Sequence, residues 1–469
     1  MEHLNYLVEI LNQHNIKGYL VGGIIRDYLL EREIKDIDVA INDKVRIIAR
    51  KFADLVTGGF VVLDKKRDTY RVVTEELNYD LAPIIGDSIY EDLLGRDFTI
   101  NALASDIDGI DLDKDRGLSG EIIDPTGGRS DLKEKTIRAI NKETFKEDPL
   151  RLLRGVRFRA ELNFTINSKT EELMQKDSQL ITEVASERIK EELLKIAAAD
   201  KAADNLEYLE KKSGLLSYLI PEIKMMKKIG KCKYHKEDVW THSLYTVEQL
   251  EELLRDVFWS KQVSNDQIPL LKLAALFHDI GKLWTEEMID GEVHFYGHHK
   301  EGAKKIVPIL RQLTFSRRKI KYIKRLIRYH MRPLSLYSAD NLTQKGKYRF
   351  FRAAKGVVGD VCLLAAADIL ATKLWNERRE EIADNLDFIK ELISDTEKMK
   401  KRTSKLLLTG YDVMELLNIE EGPQVGRILD KIREAQAQGK IENRTEAVEY
   451  LKKLKNKFNY TEVIHRKSD

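Results

Sequence analysis

The sequence predicts an α+β head, a small mixed sheet with helices, followed by an all-α body. Three observations predict it. Strand-length apolar runs alternate with helix-like stretches over residues 1–140. Helical periodicity takes over from about residue 147 to the end. Between them lies the turn-rich stretch DPTGGRSD at 124–131, which closes the head. A chain of 469 residues is also too long for one ordinary core; at ~150 residues per domain it holds about three.

The elements follow in order. YLVGG (19–23) reads as strand then turn, IIRDYLLE (24–31) as helix, and DIDVAI (36–41) as strand. FVVLD (60–64), YRVVT (70–74) and NYDLAPI (78–84) are further short strands. In the body, LLKLAALF (270–277) is an apolar helix, and RDVFWSKQVSNDQI (255–268) reads as a surface loop or ragged helix end. The polar last ~10 residues are expected to fray.

Composition narrows the classes. Lys and Arg total 80 against 78 Asp and Glu, so a net charge of +2 does not mark the whole chain as a polyanion binder. The charge is uneven, however. IKMMKKIGKCKYHK (223–236) and FSRRKIKYIKRLIRYHMR (315–332) are strongly basic, and such patches can bind a phosphate backbone, although a solvated helix face explains a single run equally well. Cys232 and Cys362 stand far apart in no CxxC pattern, which argues against a disulfide framework and for a reducing cytoplasm. No apolar run approaches the ~18–20 residues of a membrane span, and MEHLNYLVEI lacks the basic and apolar regions of a secretion signal.

Chemistry begins at Gly22-Gly23 and Arg26-Asp27, between a strand and a helix. Glycines there let backbone approach a phosphate, although a tight turn alone would also use them. Asp36 and Asp38 follow. On a strand, residues i and i+2 share a face, so both carboxylates project together while Ile37, Val39 and Ile41 face a core. Aligned carboxylates repel unless a cation sits between them. Two Mg²⁺ ions about 3.5–4 Å apart would fit, one activating an attacking hydroxyl and the other holding a triphosphate. Asp80, in NYDLAP on another strand, could complete the cluster.

Gly-Gly…Arg-Asp followed by Asp-x-Asp resembles the DNA polymerase β-type nucleotidyltransferases. It is most similar to the class II tRNA nucleotidyltransferases (CCA-adding enzymes) and bacterial poly(A) polymerases. The resemblance continues in order. Arg96-Asp97-Phe98-Thr99-Ile100-Asn101-Ala102 resembles the family's second motif, which implies that Arg96, Asp97 and Asn101, with Gly22, Gly23 and Arg26, bind the incoming nucleotide. Gly95 departs from the pattern, standing where the family has an arginine. Asp124-Pro-Thr-Gly-Gly resembles a hinge. Glu147-Asp148-Pro149-Leu150-Arg151 resembles the nucleotide-reading motif, and Glu187-Arg188 with Glu191-Glu192 the motif that braces it. Asp followed by Pro also predicts an N-cap with Pro at N1. An Asp148 carboxylate accepts from the amino group of cytosine or adenine, and the Arg151 guanidinium donates to neighbouring ring acceptors. Uracil and guanine would leave Asp148 facing a carbonyl.

The resemblance implies CTP and ATP as substrates, the tRNA 3′ end as acceptor and Mg²⁺ at Asp36 and Asp38. The compact stretch between Asp80 and Arg96 resembles partial enzymes that stop at CC. CCA addition is the first reading, with CC addition and poly(A) addition as alternatives.

In the body, His278-Asp279 ends an apolar helix, and imidazole beside carboxylate suits a divalent ion. Ile320, Ile323, Ile327 and His330 share a helical face, so His330 points inward; a satisfied core histidine is the plainer reading of that alone. Together His242, His278, Asp279, His298, His330 and Asp368 resemble the ligand set of an HD phosphohydrolase, with His299 as an alternative to His298. That implies a second divalent metal site with phosphodiesterase or phosphatase activity, and a further alternative in which the hydrolase is the main activity and the head only binds RNA. The stretches 408–415 and 422–429 resemble the tail of HD-bearing members, an RNA-contacting or packing module. The expected division is a nucleotidyltransferase head over 1–140, a helical neck over 141–225, an HD domain over 226–400 and a helical tail over 401–469.

Overall fold

The computed structural model describes residues 2–34, 36–109, 121–230, 236–338, 343–372 and 379–465. Residues 231–235, with Cys232 and part of the basic run at 223–236, lie outside them. The chain forms two compact units, one from Met1–Ala199 with Asn205–Ile220, the other from Asp200–Asp204 with Pro221–Asp469. Among the described residues no helix is long and apolar enough to cross a membrane.

The first unit is built on a seven-stranded sheet. Its strands are β1 (Gly18–Val21), β2 (Asp36–Ile41), β3 (Gly59–Asp64), β4 (Thr69–Val73), β5 (Asn78–Pro83), β6 (Ala104–Asp106) and β7 (Ile122–Ile123), in the order β3-β4-β5-β2-β1-β6-β7. β2 and β5 are parallel and the other pairs antiparallel, so the sheet is mixed, as expected. Strand alternation decides its two faces. Ile37 and its register partner Tyr79 are buried, and Tyr79 meets Phe52 of helix Val45–Leu55 edge-on at 5.0 Å between ring centroids. Each such fully buried side chain contributes about 1.5–3 kcal/mol. That burial pins the register, because a one-residue slip would turn Asp36 and Asp38 into the core.

The described body departs from pure helix in two places. β8 (Thr136–Ile137) pairs in parallel with β9 (Thr165–Ile166). β10 (Glu287–Ile289) and β11 (Glu292–His294) form a hairpin turning at Asp290-Gly291, both with positive φ. The Asp-Gly between two alternating runs was a readable hairpin signal. The stretch expected as a ragged loop instead holds a short helix, Val257–Ser260, capped by Asp256, with Trp259 buried.

In the second unit, helices Val239–Leu254, Ile268–Phe277, His298–Gln312, Arg317–Tyr329 and Val358–Leu370 pack around one apolar core. The Tyr322 hydroxyl donates to Asp360 at 2.6 Å, tying two of these helices together. Cys362 is a free, fully buried thiol. Helices Gly410–Leu417, Pro423–Ala437 and Arg444–His465 close a smaller core around Val413, Ile428 and Leu451.

Candidate active site and metal centre

β2 and β5 bring the three expected carboxylates of the head together. Asp38 lies directly opposite Asp80 in the parallel register, with Asp36 one pleat away. Burial, then the charges of Asp80 and Asp36, push the Asp38 carboxyl up to about 6 against the partial relief of Arg96 and Arg26. Such a cluster fits divalent ions, because a cation would supply the missing compensation. Asp80 differs from the other two. The Arg71 guanidinium on β4 grips it with two hydrogen bonds of 2.7 Å and reaches to 4.0 Å from Asp36. Sequence reading missed Arg71, although alternation with the buried Tyr70 and Val72 turns it to the carboxylate face.

Gly22 adopts φ 71, a backbone state costly for other residues, and a Cβ there would sit 2.7 Å from the Arg96 guanidinium. A Cβ on Gly23 would lie 3.7 Å from an Asp38 oxygen, so this turn runs beside the acid pair. Arg26 is held in place by Asp27, at 2.8 and 2.9 Å, and by the Asn101 side-chain oxygen at 2.7 Å. Asn101 in turn donates to Asp97 at 3.0 Å, and Arg154 pairs with Asp97 at 2.6 Å. Burial alone would raise the Asp97 carboxyl, but Arg154, Asn101 and the Phe98 N–H together hold it below its usual range. Asp97 is thus the buried hub that fixes two cationic side chains. Arg96 is braced by the buried Asp92 at 3.0 Å. Arg154 carried no local pattern that would have singled it out, whereas Asp92 stands at i−4 from Arg96, a spacing that marks a charge pair.

Asp148 is not a helix cap of the expected kind: helix Arg151–Leu162 starts after Leu150, and Asp148 and Pro149 form the turn before it. Its carboxylate accepts from the Leu150 N–H at 3.2 Å and from Arg188 at 2.7 and 3.2 Å. Arg151 donates to Glu147, to the Thr144 carbonyl and, at 2.7 Å, to the carbonyl of Gly95. Asp36, Asp38, Arg26, Arg96, Asp148 and Arg151 line one cleft of about 830 Å³, whose walls carry eight arginines and eight carboxylates.

In the second unit the six expected ligands converge, although they come from five segments spread over 126 residues of chain. His242 Nε2 lies 2.9 Å from Asp368, His278 Nε2 3.4 Å from Asp368 and 3.5 Å from Asp279. His298 Nε2 is 3.2 Å from Asp279 and 3.3 Å from His330 Nε2. The Nδ1 atoms of His278, His298 and His330 each bond a carbonyl three residues back, those of Ala275, Phe295 and Ile327, at 2.8–2.9 Å. That fixes each Nε2 toward the shared centre. The His278 Nε2 is buried without a hydrogen bond. Three triads from this set could each hold an ion: His242–His278–Asp279, His278–His330–Asp368 and Asp279–His298–His330. His298, rather than His299, supplies the ring in the cluster. Burial works against a charge on His278, yet Asp279 and Asp368 draw its imidazole up to about 10, whereas burial, with the neighbouring His278 and His298 rings, pushes His330 down to about 3. Lys282, 2.6 Å from Asp279, was not anticipated. A largely apolar cavity of about 470 Å³ opens onto Asp279, His298 and Asp368.

Comparisons with known proteins agree along most of the chain. Residues 18–88 and 84–138 match the Poly A polymerase head domain, 163–226 a probable RNA and SrmB-binding site of polymerase A, and 239–373 the HD domain. A CC-adding tRNA nucleotidyltransferase from Thermus thermophilus is 32% identical, over 92% of this chain and 93% of the relative. An A-adding tRNA nucleotidyltransferase from Deinococcus radiodurans is 30% identical, over 92% and 94%. Among solved structures, a Thermotoga maritima CCA-adding enzyme complexed with tRNA superposes with a TM-score of 0.62 at 21% identity, covering 96% of this chain and 93% of that one. With two full-length relatives at this identity, the chain belongs to the tRNA nucleotidyltransferase family, in its form that carries an HD domain.

Proposed function

We propose that the chain adds CMP and AMP, drawn from CTP and ATP, to the tRNA 3′ end without a nucleic-acid template. The observation that carries this reading is the joining of Asp36, Asp38 and the Asp148–Arg151 turn in one arginine-lined cleft. Asp36 and Asp38 are the residues to hold Mg²⁺, which when bound supplies activation of the attacking 3′-hydroxyl and neutralises charge on the leaving pyrophosphate. Arg26 and Arg96, fixed by Asn101 and Asp92, are placed to receive the triphosphate. Asp80, engaged by Arg71, acts in this reading by holding charge beside the pair.

Base selection follows from counting hydrogen bonds. An Arg has five N–H donors. Arg151 spends three on Glu147, Thr144 and Gly95, which leaves Nε and one further N–H for ring acceptors of a base. Arg188 and the Leu150 N–H occupy three of the about four acceptor sites of the Asp148 carboxylate and hold it in one orientation, leaving about one, on Oδ2, for a base amino group. A base with a carbonyl there loses about 1–3 kcal/mol per mismatched pair. One specific observation favours a partial enzyme as second reading: residues 84–88 alone connect β5 to helix Ile89–Leu94.

We assign the division into head 1–140, neck 141–225, HD domain 226–400 and tail 401–469 to these roles, in a reducing cytoplasm where Cys362 stays a thiol. The HD cluster is proposed to bind a divalent metal and hydrolyse phosphoesters small enough for its cavity.

The test supplies labelled CTP and ATP, separately and together, to tRNA lacking its last three nucleotides. Product ending in CCA with both substrates supports the first reading. Arrest at CC with both substrates selects the second. A long A tail, or no incorporation, overturns both.

A further inference from the structure

The segment 315–332 contains eight Lys and Arg and no Asp or Glu, in a chain where the two classes are nearly equal. The fold sorts these cations. On helix Arg317–Tyr329, Arg317, Lys321, Lys324 and Arg328 follow at i, i+4, i+7 and i+11, so they share one face along about 16 Å of axis. Arg317, Lys321 and Lys324 are exposed. None of the four has a carboxylate within ion-pair distance among the described residues. By contrast, Arg325, on the flank of the row, spends its guanidinium on the carbonyls of Ala353 and Lys355. Like charges at these spacings repel by about 0.2–0.5 kcal/mol per pair, so the row costs folding stability unless a counter-charge lies along it. Elsewhere in the same unit some helical lysines are paired within the helix, as Lys304 is with Glu301 and Lys390 with Asp387.

We infer that this row is a docking surface for the ribose-phosphate backbone of RNA. Charge complementarity along an ordered line identifies a polyanion as the occupant. Burial separates RNA from the other extended polyanion, an anionic membrane. Interfacial helices present large apolar side chains beside their cations. Here Ile320, Ile323, Leu326 and Ile327 are all buried, and no large apolar residue of the segment is exposed. The face is therefore cationic without an apolar edge. The inference rests on the proposed action on tRNA, and it adds a surface in the second unit to a reaction carried out in the first.

The test neutralises three exposed members, Arg317→Gln, Lys321→Gln and Lys324→Gln, in the full chain. Arg328 is kept because His330 is an HD ligand. Binding of tRNA to the triple variant and to the parent is measured across a salt series. The expected result is a 10- to 100-fold weaker affinity at low salt. The slope of log affinity against log salt should flatten by about 2–3, at roughly 0.7–0.9 for each phosphate that is no longer neutralised. A charge-keeping triple variant, Arg317→Lys, Lys321→Arg and Lys324→Arg, should bind like the parent, which separates charge from folding. Nucleotide incorporation at saturating tRNA should keep its kcat while KM for tRNA rises. An unchanged slope and affinity in the neutralised variant overturns the inference, as does a loss of binding to anionic phospholipid vesicles with tRNA binding intact. Failure of the parent itself to incorporate nucleotides overturns the proposed function instead, a distinguishable outcome.

Discussion

Asp38 carries opposing demands: its place beside Asp36 and Asp80 suits a cation, and without one that place favours a proton. Its carboxyl titrates at about 6, above the ordinary value near 3.8. The sign follows directly. Below pH about 6 the group is protonated, and an incoming divalent ion must displace that proton. Above it the charge is already present. The Mg²⁺ concentration for half-maximal incorporation should therefore rise about tenfold per pH unit below about 6 and level off above about 7. Magnesium titrations from pH 5.5 to 8 check this, and a half-saturation point that stays constant would sink it. Asp97 makes a second residue-scale prediction. Asp97→Asn leaves Arg154 in a partly buried position with no compensating charge, which costs about 2–3 kcal/mol, toward the low end for a broken buried pair because Arg154 is one-third exposed. The lowered Asp97 carboxyl contributes stability above the unfolded value, and that contribution is lost as pH falls through the folded one. The variant should thus lose stability near neutral pH and converge on the parent in acid, as thermal unfolding across pH would reveal. Convergence absent, with the variant equally weak at every pH, would mean that packing and not charge makes Asp97 essential.

At the scale of elements, the proposed HD metal ligands depend on a close approach between two backbones. A Cβ on Gly281 would stand 1.9 Å from the His298 carbonyl oxygen and 2.5 Å from the Gly302 nitrogen. Backbone cannot swing aside as a flexible side chain can. Gly281→Ala should therefore push the helix starting at His298 away from the turn that carries Asp279, abolishing metal binding by the HD cluster while incorporation persists. Gly426→Ala, with nothing within 4 Å of its Cβ, is the matched control and should be silent. Calorimetric titration of the two variants with Mn²⁺ decides; metal uptake by Gly281→Ala at parental affinity would refute the close-approach argument. Such pairings also explain what the sequence could and could not tell. Strand alternation placed Asp36 and Asp38 on one face, and helical spacing turned His330 inward, because both are local periodicities. The Asp148 cap was misplaced because Asp-Pro marks a turn as readily as a helix start. Arg71 and Arg154 gain their roles from partners on other segments, which a local pattern does not reveal, whereas Lys282 lies at i+3 from Asp279, a local spacing that could have been read. The HD set was legible only through an ordered resemblance, since its members converge from five separate segments.

At the scale of the molecule, each centre is built wholly from the residues of one compact unit. Among the described residues, the Asn78 amide on Asp36, the Arg188 guanidinium on Asp148 and the Gly95 carbonyl on Arg151 all belong to the first unit, and the carbonyls that orient His278, His298 and His330 to the second. Substitutions at the two centres should then act independently. Asp279→Ala removes a carboxylate that serves two of the three metal triads, so phosphoester hydrolysis should fall to background while CTP incorporation stays within about twofold. Asp36→Ala with Asp38→Ala should do the reverse. The two activities, assayed side by side on both variants, should show each substitution abolishing one activity and sparing the other. A fall of more than tenfold in incorporation by a folded Asp279→Ala protein would show instead that metal in the HD cluster organises the head, and the two units would have to be treated as a single catalytic body.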